Sequence, residues 1–317
     1  MTARAPRTRA AIVSTALVIV LALAACGSSA SRGSALDVPA VARLPISTSS
    51  HVIVIVMENK EASDVLGSPA APYINALARR YGLASASFAI THPSLPNYLA
   101  LTSGSTHGIS SDCTDCSVSA VNIVDQLASA GISWKAYLEN TPRPCFTGAG
   151  AGSYAKRHNP FIYYDDVVRS TARCSHLVGF GALAADLRAG RLPTYAWITP
   201  NLCDDMHDCA VATGDAFLSR TVPPLLHELG PHGFLILTWD EGSTNAGCCA
   251  GVAAGGRVAT IVAGPDVIAG GRERAPVDHY GVLATVERAL GLSLLGGAAD
   301  PRNGSLAPLF RRSPRIG

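Results

Sequence analysis

Two apolar runs in this chain end in acidic residues. The stretch "HVIVIVM" at 51–57 stops at Glu58 and Asn59, and "GFLILTW" at 233–239 stops at Asp240 and Glu241. A carboxylate placed directly after a buried strand is costly to ionise unless positive charge lies beside it. Three carboxylates and one amide oxygen gathered at a sheet edge make an oxygen-rich ligand set for a divalent cation. Such donors favour magnesium, calcium or manganese over zinc. Either pair alone reads equally well as a helix cap or surface ion pair, and it is the repetition at two strand exits that points to a site.

The stretch "THPSLPNYLALTSG" at 91–104 offers a nucleophile. Ser94 opens a helical pattern carried by Leu95, Tyr98, Leu99 and Thr102, and two roles are open to it. As an N-cap it would bond a backbone amide near Asn97. As a nucleophile, its hydroxyl would sit at a helix N-terminus facing the metal, be deprotonated there and attack phosphorus. His92 and Asn97 would then bracket the substrate oxygens, with Pro93 and Pro96 restricting the backbone.

Further histidines lie in polar loops: His158 and Asn159 in "RHNPF", His207 and Asp208 in "NLCDDMHDC", and His279 in "DHYGVL". Singly, each reads as structural. Gathered around a metal, they would form a hydrogen-bonding, partly cationic wall for a phosphate dianion. Imidazoles titrate near pH 6.5, so a mildly acidic optimum is expected.

These residues need strands and helices to position them. Strands are predicted at 51–57, 85–90, 132–138, 194–199, 233–239 and 258–264, several of them apolar throughout, as strands covered on both faces are. Helical patterns lie between: "APYINALARRYG", "NIVDQLASAG", "DAFLSRTVPPLLHELG", with a break expected at Pro223 and Pro224, and "HYGVLATVERALGL". Strands alternating with helices imply a mostly parallel sheet with helices flanking it. In such sheets ligands bind beyond the carboxyl ends of the strands, where both acidic pairs fall.

The 317 residues are 48% hydrophobic and 15% charged, enough to bury a sizeable core. Arg4, Arg7 and Arg9 precede an uncharged, mostly apolar stretch ending in "LAAC" at 23–26, a secretory leader whose cysteine resembles a lipidation site. The predicted organisation is a signal peptide at 1–25, a flexible tether at 26–48, one catalytic domain at 49–312 and a tail at 313–317. That places the chain outside the cell, secreted or held by a lipid on the outer face of the membrane, with no other membrane contact and as a monomer. Of the 25 basic and 23 acidic residues, three arginines lie in the leader, so the remainder carries about −1 and no nucleic-acid partner is implied. Arg311, Arg312 and Arg315 read as a solvated terminus.

Beyond Cys26, eight cysteines in an exported chain suggest disulfides. Sequence neighbours pair Cys113 with Cys116, Cys145 with Cys174 and Cys203 with Cys209, leaving Cys248 and Cys249 to form a vicinal bridge or find other partners. "CTDC" at 113–116 reads as a stapled turn in preference to a redox or zinc half-site.

In order, "MEN", "HPSLPNYLAL", "HNPF", "WITPN", "HD", "LTWDEG" and a late "HY" resemble the bacterial phosphoesterase family, which includes secreted acid phosphatases and, more distantly, phospholipases C. The similarity is greatest to the short actinobacterial secreted acid phosphatases, among them a mycobacterial one regarded as a phosphatidylinositol 3-phosphate phosphatase. The resemblance spans roughly residues 50–295. It implies an alkaline-phosphatase-like three-layer α/β/α core and phosphomonoester hydrolysis through a metal-bound seryl phosphate, acting on a phosphorylated small molecule or lipid head group. Carried over, Glu58, Asn59, Ser94, Asp240 and Glu241 would ligate the metal. His92, Asn97, His158, Asn159, His207 and His279 would contact phosphate or leaving group, and Asp208 would orient His207. The chain lacks the "RSFD" that follows "EN" in the phospholipases and is much shorter than they are. A phosphodiesterase and a non-catalytic binding lipoprotein remain the competing readings.

Overall fold

The computed structural model describes residues 49–316, so the leader, Cys26 and the tether predicted for 1–48 lie outside the described residues. Strands form at all six predicted runs and at five shorter places. They are β1 (Val52–Met57), β2 (Gly82–Phe88), β3 (Trp134–Leu138), β4 (Gly150–Ala151), β5 (Tyr154–Ala155), β6 (Leu177–Val178), β7 (Tyr195–Thr199), β8 (Phe234–Trp239), β9 (Arg257–Ala263), β10 (Arg272–Glu273) and β11 (Val277–Asp278). Between them run α1 (Ala62–Val65), α2 (Pro72–Arg80), α3 (Ser94–Ser103), α4 (Ile123–Ser129), α5 (Asp165–Val168), α6 (Thr171–Cys174), α7 (Phe180–Arg188), α8 (Val211–Glu228) and α9 (His279–Ala289).

The main sheet has the order β10-β2-β9-β8-β1-β7-β3-β6, with β11 also paired to β2. Every pairing in it is parallel except the two made by β9, which runs against both β8 and β2. A single reversed strand turns its neighbour back, so β2 points the same way as β8, β1 and β7. Every strand of this sheet except β9 therefore points towards one edge.

The unbroken apolar composition of β1 is explained by its two covered faces. Val52, Val54 and Val56 pack into a cluster with Leu95, Tyr98 and Leu99 of α3, Ile123 and Leu127 of α4, and Val282 and Leu283 of α9. The alternate residues Ile53, Ile55 and Met57 join Ile74 and Leu77 of α2, Leu183 of α7, and Leu218 and Val222 of α8. Helix, sheet and helix form the three layers of an α/β/α sandwich.

One expectation is corrected. The predicted break at Pro223 and Pro224 does not occur, and α8 continues through both. The carbonyls that lose amide partners belong to Ser219 and Arg220, both exposed residues, where water can take the place of the missing N–H groups. Arg311, Arg312 and Arg315 are exposed, as expected of a solvated terminus. Pro314 is buried, and Ile316 packs on the α9 side of the sheet, with its backbone N–H donating to Ala289 O at 3.0 Å. The four disulfides are Cys113–Cys116, Cys145–Cys174, Cys203–Cys209 and the vicinal Cys248–Cys249.

Glu287 is fully buried in α9, where one carboxyl oxygen accepts from Leu295 N at 3.1 Å. Burial pushes its pKa from 4.5 up to about 8, against a smaller opposing effect of the Leu295 amide and Arg288. Between those values the folded chain holds a proton that the unfolded chain releases, so stability falls as pH rises through this window. Glu287→Gln keeps the acceptor and removes the titration. Relative to wild type it is expected to match at pH 4 and to gain on the order of 3 kcal/mol at pH 8, several degrees in melting temperature. Parallel melting curves for the two proteins across that range would refute the burial argument.

Candidate active site

The edge where β1, β2, β7 and β8 end carries the polar residues. β1 and β8 pair in register from Val52 with Phe234 to Met57 with Trp239, so Glu58 and Asp240 leave adjacent strands at the same level. The Asp240 amide donates to Met57 O at 2.9 Å, which extends the ladder one step. Asn59 follows with φ 48°, a left-handed turn that asparagine tolerates better than most residues. Its amide N–H donates to Asp240 Oδ1 at 3.0 Å and its Nδ2 to Glu241 Oε1 at 2.8 Å. The two acidic pairs are thereby locked together.

β2 exits through residues 89–93, with a cis bond between His92 and Pro93, into the first turn of α3. Ser94 is the first helical residue, Pro93 holds the cap position, and Ser94 makes no capping bond. Its buried Oγ donates instead to Glu58 Oε2 at 3.1 Å. One helical turn on, the Tyr98 hydroxyl donates to Glu58 Oε1, and the Tyr98 ring stacks on His158 at 5.7 Å. Residues four apart share a helix face, so one helix addresses both oxygens of one carboxylate.

His158 lies between Glu58 and Asp205: its Nε2 is 3.3 Å from Glu58 Oε2 and its Nδ1 is 3.3 Å from Asp205 Oδ2. Asp205 comes from the loop after β7, and Glu58 N donates to its backbone carbonyl at 2.9 Å. The Cys203–Cys209 bridge closes that loop, which also carries His207, whose Nδ1 is 2.7 Å from Asp208 Oδ1.

Glu58, Asp205 and Asp240 are all fully buried. Burial raises the pKa of each, that of Asp205 to about 8, and Glu58 is raised further by the charges of Asp240 and Asp205. Burial and then Asp240 push Glu241 to about 7. Three carboxylates confined this way call for a cation. Ligand atoms of Glu58, His158 and Asp205 lie within 4.8 Å of one another. His158 Nε2, Asp205 Oδ2, Asp240 Oδ2 and Asn59 Oδ1 are buried and lack a hydrogen-bond partner, the 3.3 Å histidine separations being too poorly directed to count. The residues therefore fit a divalent metal. Because an imidazole belongs to the set, the all-oxygen argument against zinc loses its premise.

Several predicted residues are placed differently from expectation. Asn97 does not face a substrate. Its Oδ1 accepts from Ile90 N and Thr91 N, and its Nδ2 donates to Thr91 O and Pro93 O, so it braces the loop entering Ser94. His92 is also taken up internally, with Nδ1 2.6 Å from Glu241 Oε2 and Nε2 3.0 Å from Thr244 O. Glu241 thus holds His92 and Asn59. His279, at the start of α9, donates from Nε2 to Asp240 O at 2.5 Å, and burial lowers its pKa to about 4. Burial also holds His158 well below the usual imidazole range. Burial thus disfavours the charged form of both, contrary to a cationic wall. Asn159 is buried, with Nδ2 donating to the Tyr154 hydroxyl at 3.2 Å and Oδ1 unpartnered.

A model of the Phosphoesterase family matches residues 64–293, a span that starts just after Glu58 and Asn59. A phosphatidylinositol-3-phosphatase of Mycobacterium tuberculosis is 32% identical over 255 residues, 80% of this chain and 81% of that protein. A probable acid phosphatase of Kluyveromyces lactis is 34% identical over 222 residues, 66% of this chain and 51% of its own length. The chain spans about half the length of that yeast relative and of an Aspergillus fumigatus acid phosphatase. Among solved structures, a protein in the alkaline phosphatase superfamily from Vibrio parahaemolyticus aligns with TM-score 0.55 at 13% identity, covering 80% of this chain and 70% of that one. The lipoteichoic acid synthase LtaP of Listeria monocytogenes aligns with TM-score 0.56 at 11% identity, covering 80% and 76%. Those likenesses concern the fold, which is alkaline-phosphatase-like.

Proposed function

Because the chain belongs to the phosphoesterase family, we propose that it is an exported acid phosphatase that hydrolyses phosphomonoesters, phosphoinositides among them, with Ser94 as nucleophile. The observation that carries this reading is the buried Ser94 hydroxyl donating to Glu58 Oε2 inside a cluster of carboxylates short of positive charge. A divalent ion held by Glu58, Asp205 and Asp240, with Asn59 and His158 to hand, would acidify the serine hydroxyl and offset charge on the phosphoryl oxygens.

Ser94 Oγ forms the bond to phosphorus as the ester oxygen departs with its electron pair, and Glu58 is placed to accept the serine proton. Water then cleaves the phosphoserine and releases phosphate. Arg157 Nη2 lies 3.1 Å from His207 Nε2; a guanidinium only donates, so Nε2 accepts and the Nδ1–H is held by Asp208. His207 is then the half-buried imidazole that, carrying a proton on Nε2 once the Arg157 contact gives way, would donate to the departing alcohol and take a proton back from the incoming water. The leader and the four disulfides support export. Among the described residues, no helix is long and apolar enough to cross a membrane.

The test compares turnover of p-nitrophenyl phosphate with that of bis(p-nitrophenyl) phosphate between pH 5 and 8, with magnesium, manganese, calcium or zinc added. Preferential monoester hydrolysis on the acid side is expected. A preference for the bis-ester would make the protein a diesterase, and tight binding of the monoester without turnover would make it a binding protein.

A further inference from the structure

The edge at which the strands begin, opposite the buried carboxylates, carries the other sign of charge. α2 ends in Arg79 and Arg80 just before β2. Arg311 lies at the same level, its backbone N–H donating to Asp266 O at 2.9 Å just past the end of β9, and with Arg80 it lines a cavity of about 390 Å³. Arg288 stands in the last turn of α9. The bond from Ile316 N to Ala289 O brings Arg315 beside it, and the two line a second cavity, of about 370 Å³. Arg312 belongs to the stretch of tail that joins the two cavities.

All six arginines are exposed, and among the described residues none of them forms an ion pair. The acids that the same elements bring to this edge are engaged. Asp266 Oδ2 lies 2.8 Å from His232 Nδ1, Glu228 Oε1 lies 3.2 Å from His227 Nδ1, and Glu287 is buried with one oxygen on Leu295 N. Pinning the tail therefore sets its arginines into two pairs, each beside a cavity and free of competing carboxylates. A guanidinium presents a rigid fork that matches two phosphate oxygens. The chain also enters the sandwich here, His51 N donating to Leu229 O at 2.9 Å, so the stretch that the sequence marks for lipidation joins the domain at this edge. The catalytic carboxylates lie a strand's length away, about 20 Å for the six residues of β1.

We propose that this arginine edge docks on an anionic phospholipid bilayer, with lipid phosphates seated between Arg80 and Arg311 and between Arg288 and Arg315, and that the catalytic edge faces away from that bilayer. The docking does not depend on the phosphatase reading. The test measures partitioning of the full chain onto vesicles of phosphatidylcholine alone and of phosphatidylcholine mixed equally with phosphatidylglycerol. Insertion of the leader is common to both, so the readout is the gain on the anionic vesicles. Each arginine near such a surface contributes about fivefold, so wild type should gain about 100-fold or more, and lose the gain at high salt. Arg80→Gln/Arg311→Gln and Arg288→Gln/Arg315→Gln are each expected to lower the gain about 20-fold. Arg143→Gln/Arg302→Gln, which removes the same charge from exposed positions away from this edge, should stay within about threefold of wild type. Equal partitioning of wild type onto both vesicles, equal losses in the control pair, or a gain that survives in both edge pairs overturns the proposal. So does a gain abolished by inorganic phosphate but not by sodium chloride of equal ionic strength, which would make the cavities sites for the free ion. Vesicle-bound protein should turn over p-nitrophenyl phosphate within about threefold of its free rate, since the site stands two Debye lengths from the lipid. A loss of more than about tenfold would place the catalytic edge against the bilayer and overturn the orientation. A wild type that partitions as expected but releases no phosphate defeats the phosphatase reading alone.

Discussion

Ser94→Ala is expected to lower phosphate release from p-nitrophenyl phosphate by about 10⁴-fold or more, since loss of the attacking atom removes the covalent route and leaves only binding and electrostatics. The fold should tolerate the change. Ser94 Oγ donates to Glu58, and Glu58 retains the Tyr98 hydroxyl and neighbouring His158 without it. Alanine is also a good helix former at the first position of α3. Melting curves should therefore nearly superimpose while activity vanishes. If turnover in the variant stays within about tenfold of wild type, Ser94 is not the nucleophile.

Asp205→Asn is expected to act with opposite sign in the presence and absence of metal. With metal stripped by a chelator, the variant should melt higher than wild type, because it removes one of three buried, mutually repelling carboxylates. With saturating manganese or zinc it should melt lower, because a ligand is gone. Metal at about 100 times its dissociation constant stabilises by about 2.7 kcal/mol, on the order of 5–10 °C here, and the variant should lose most of that gain. The pH dependence follows the same logic. Asp205 has its pKa raised from 3.8 to about 8, so the metal-free protein holds a proton there that the unfolded chain lacks, and its stability falls as pH rises through that range. Metal replaces the proton and should help most at the alkaline end. Activity is expected to drop by about 10²-fold or more. A variant that melts like wild type with and without chelator would remove Asp205 from the metal site.

What could be read in the chain and what could not divide along physical lines. β1 and β8 announce themselves because strands buried on both faces must be apolar throughout, and Glu58 and Asp240 stand out where that demand ends. The direction of β9 is not visible, since a strand buried on both faces has the same composition whichever way it runs. Asp205 is hidden in "CDDMHD", where a loop shows no periodicity to single out one acid among three, although its position inside a short cysteine-closed loop was a usable signal. Tyr98 reads as apolar helix face because that is how its ring is used, while its hydroxyl reaches inward to Glu58. Asn97 has the right residue type in the right motif, yet its amide turns back on its own loop, an orientation that residue type does not encode.

The Cys203–Cys209 bridge encloses five residues, two of them Asp205 and His207, and no strand of the sheet depends on it. Sandwich and chemistry are thus stabilised by separate means: apolar layers hold the first, and a small covalent ring keeps one corner of the second from wandering. Thiol conditions that spare the secondary structure would let this corner sample many arrangements and so weaken its grip on an ion. A preparation made in a reducing cytosol can then look native by its spectrum and still be poorly loaded.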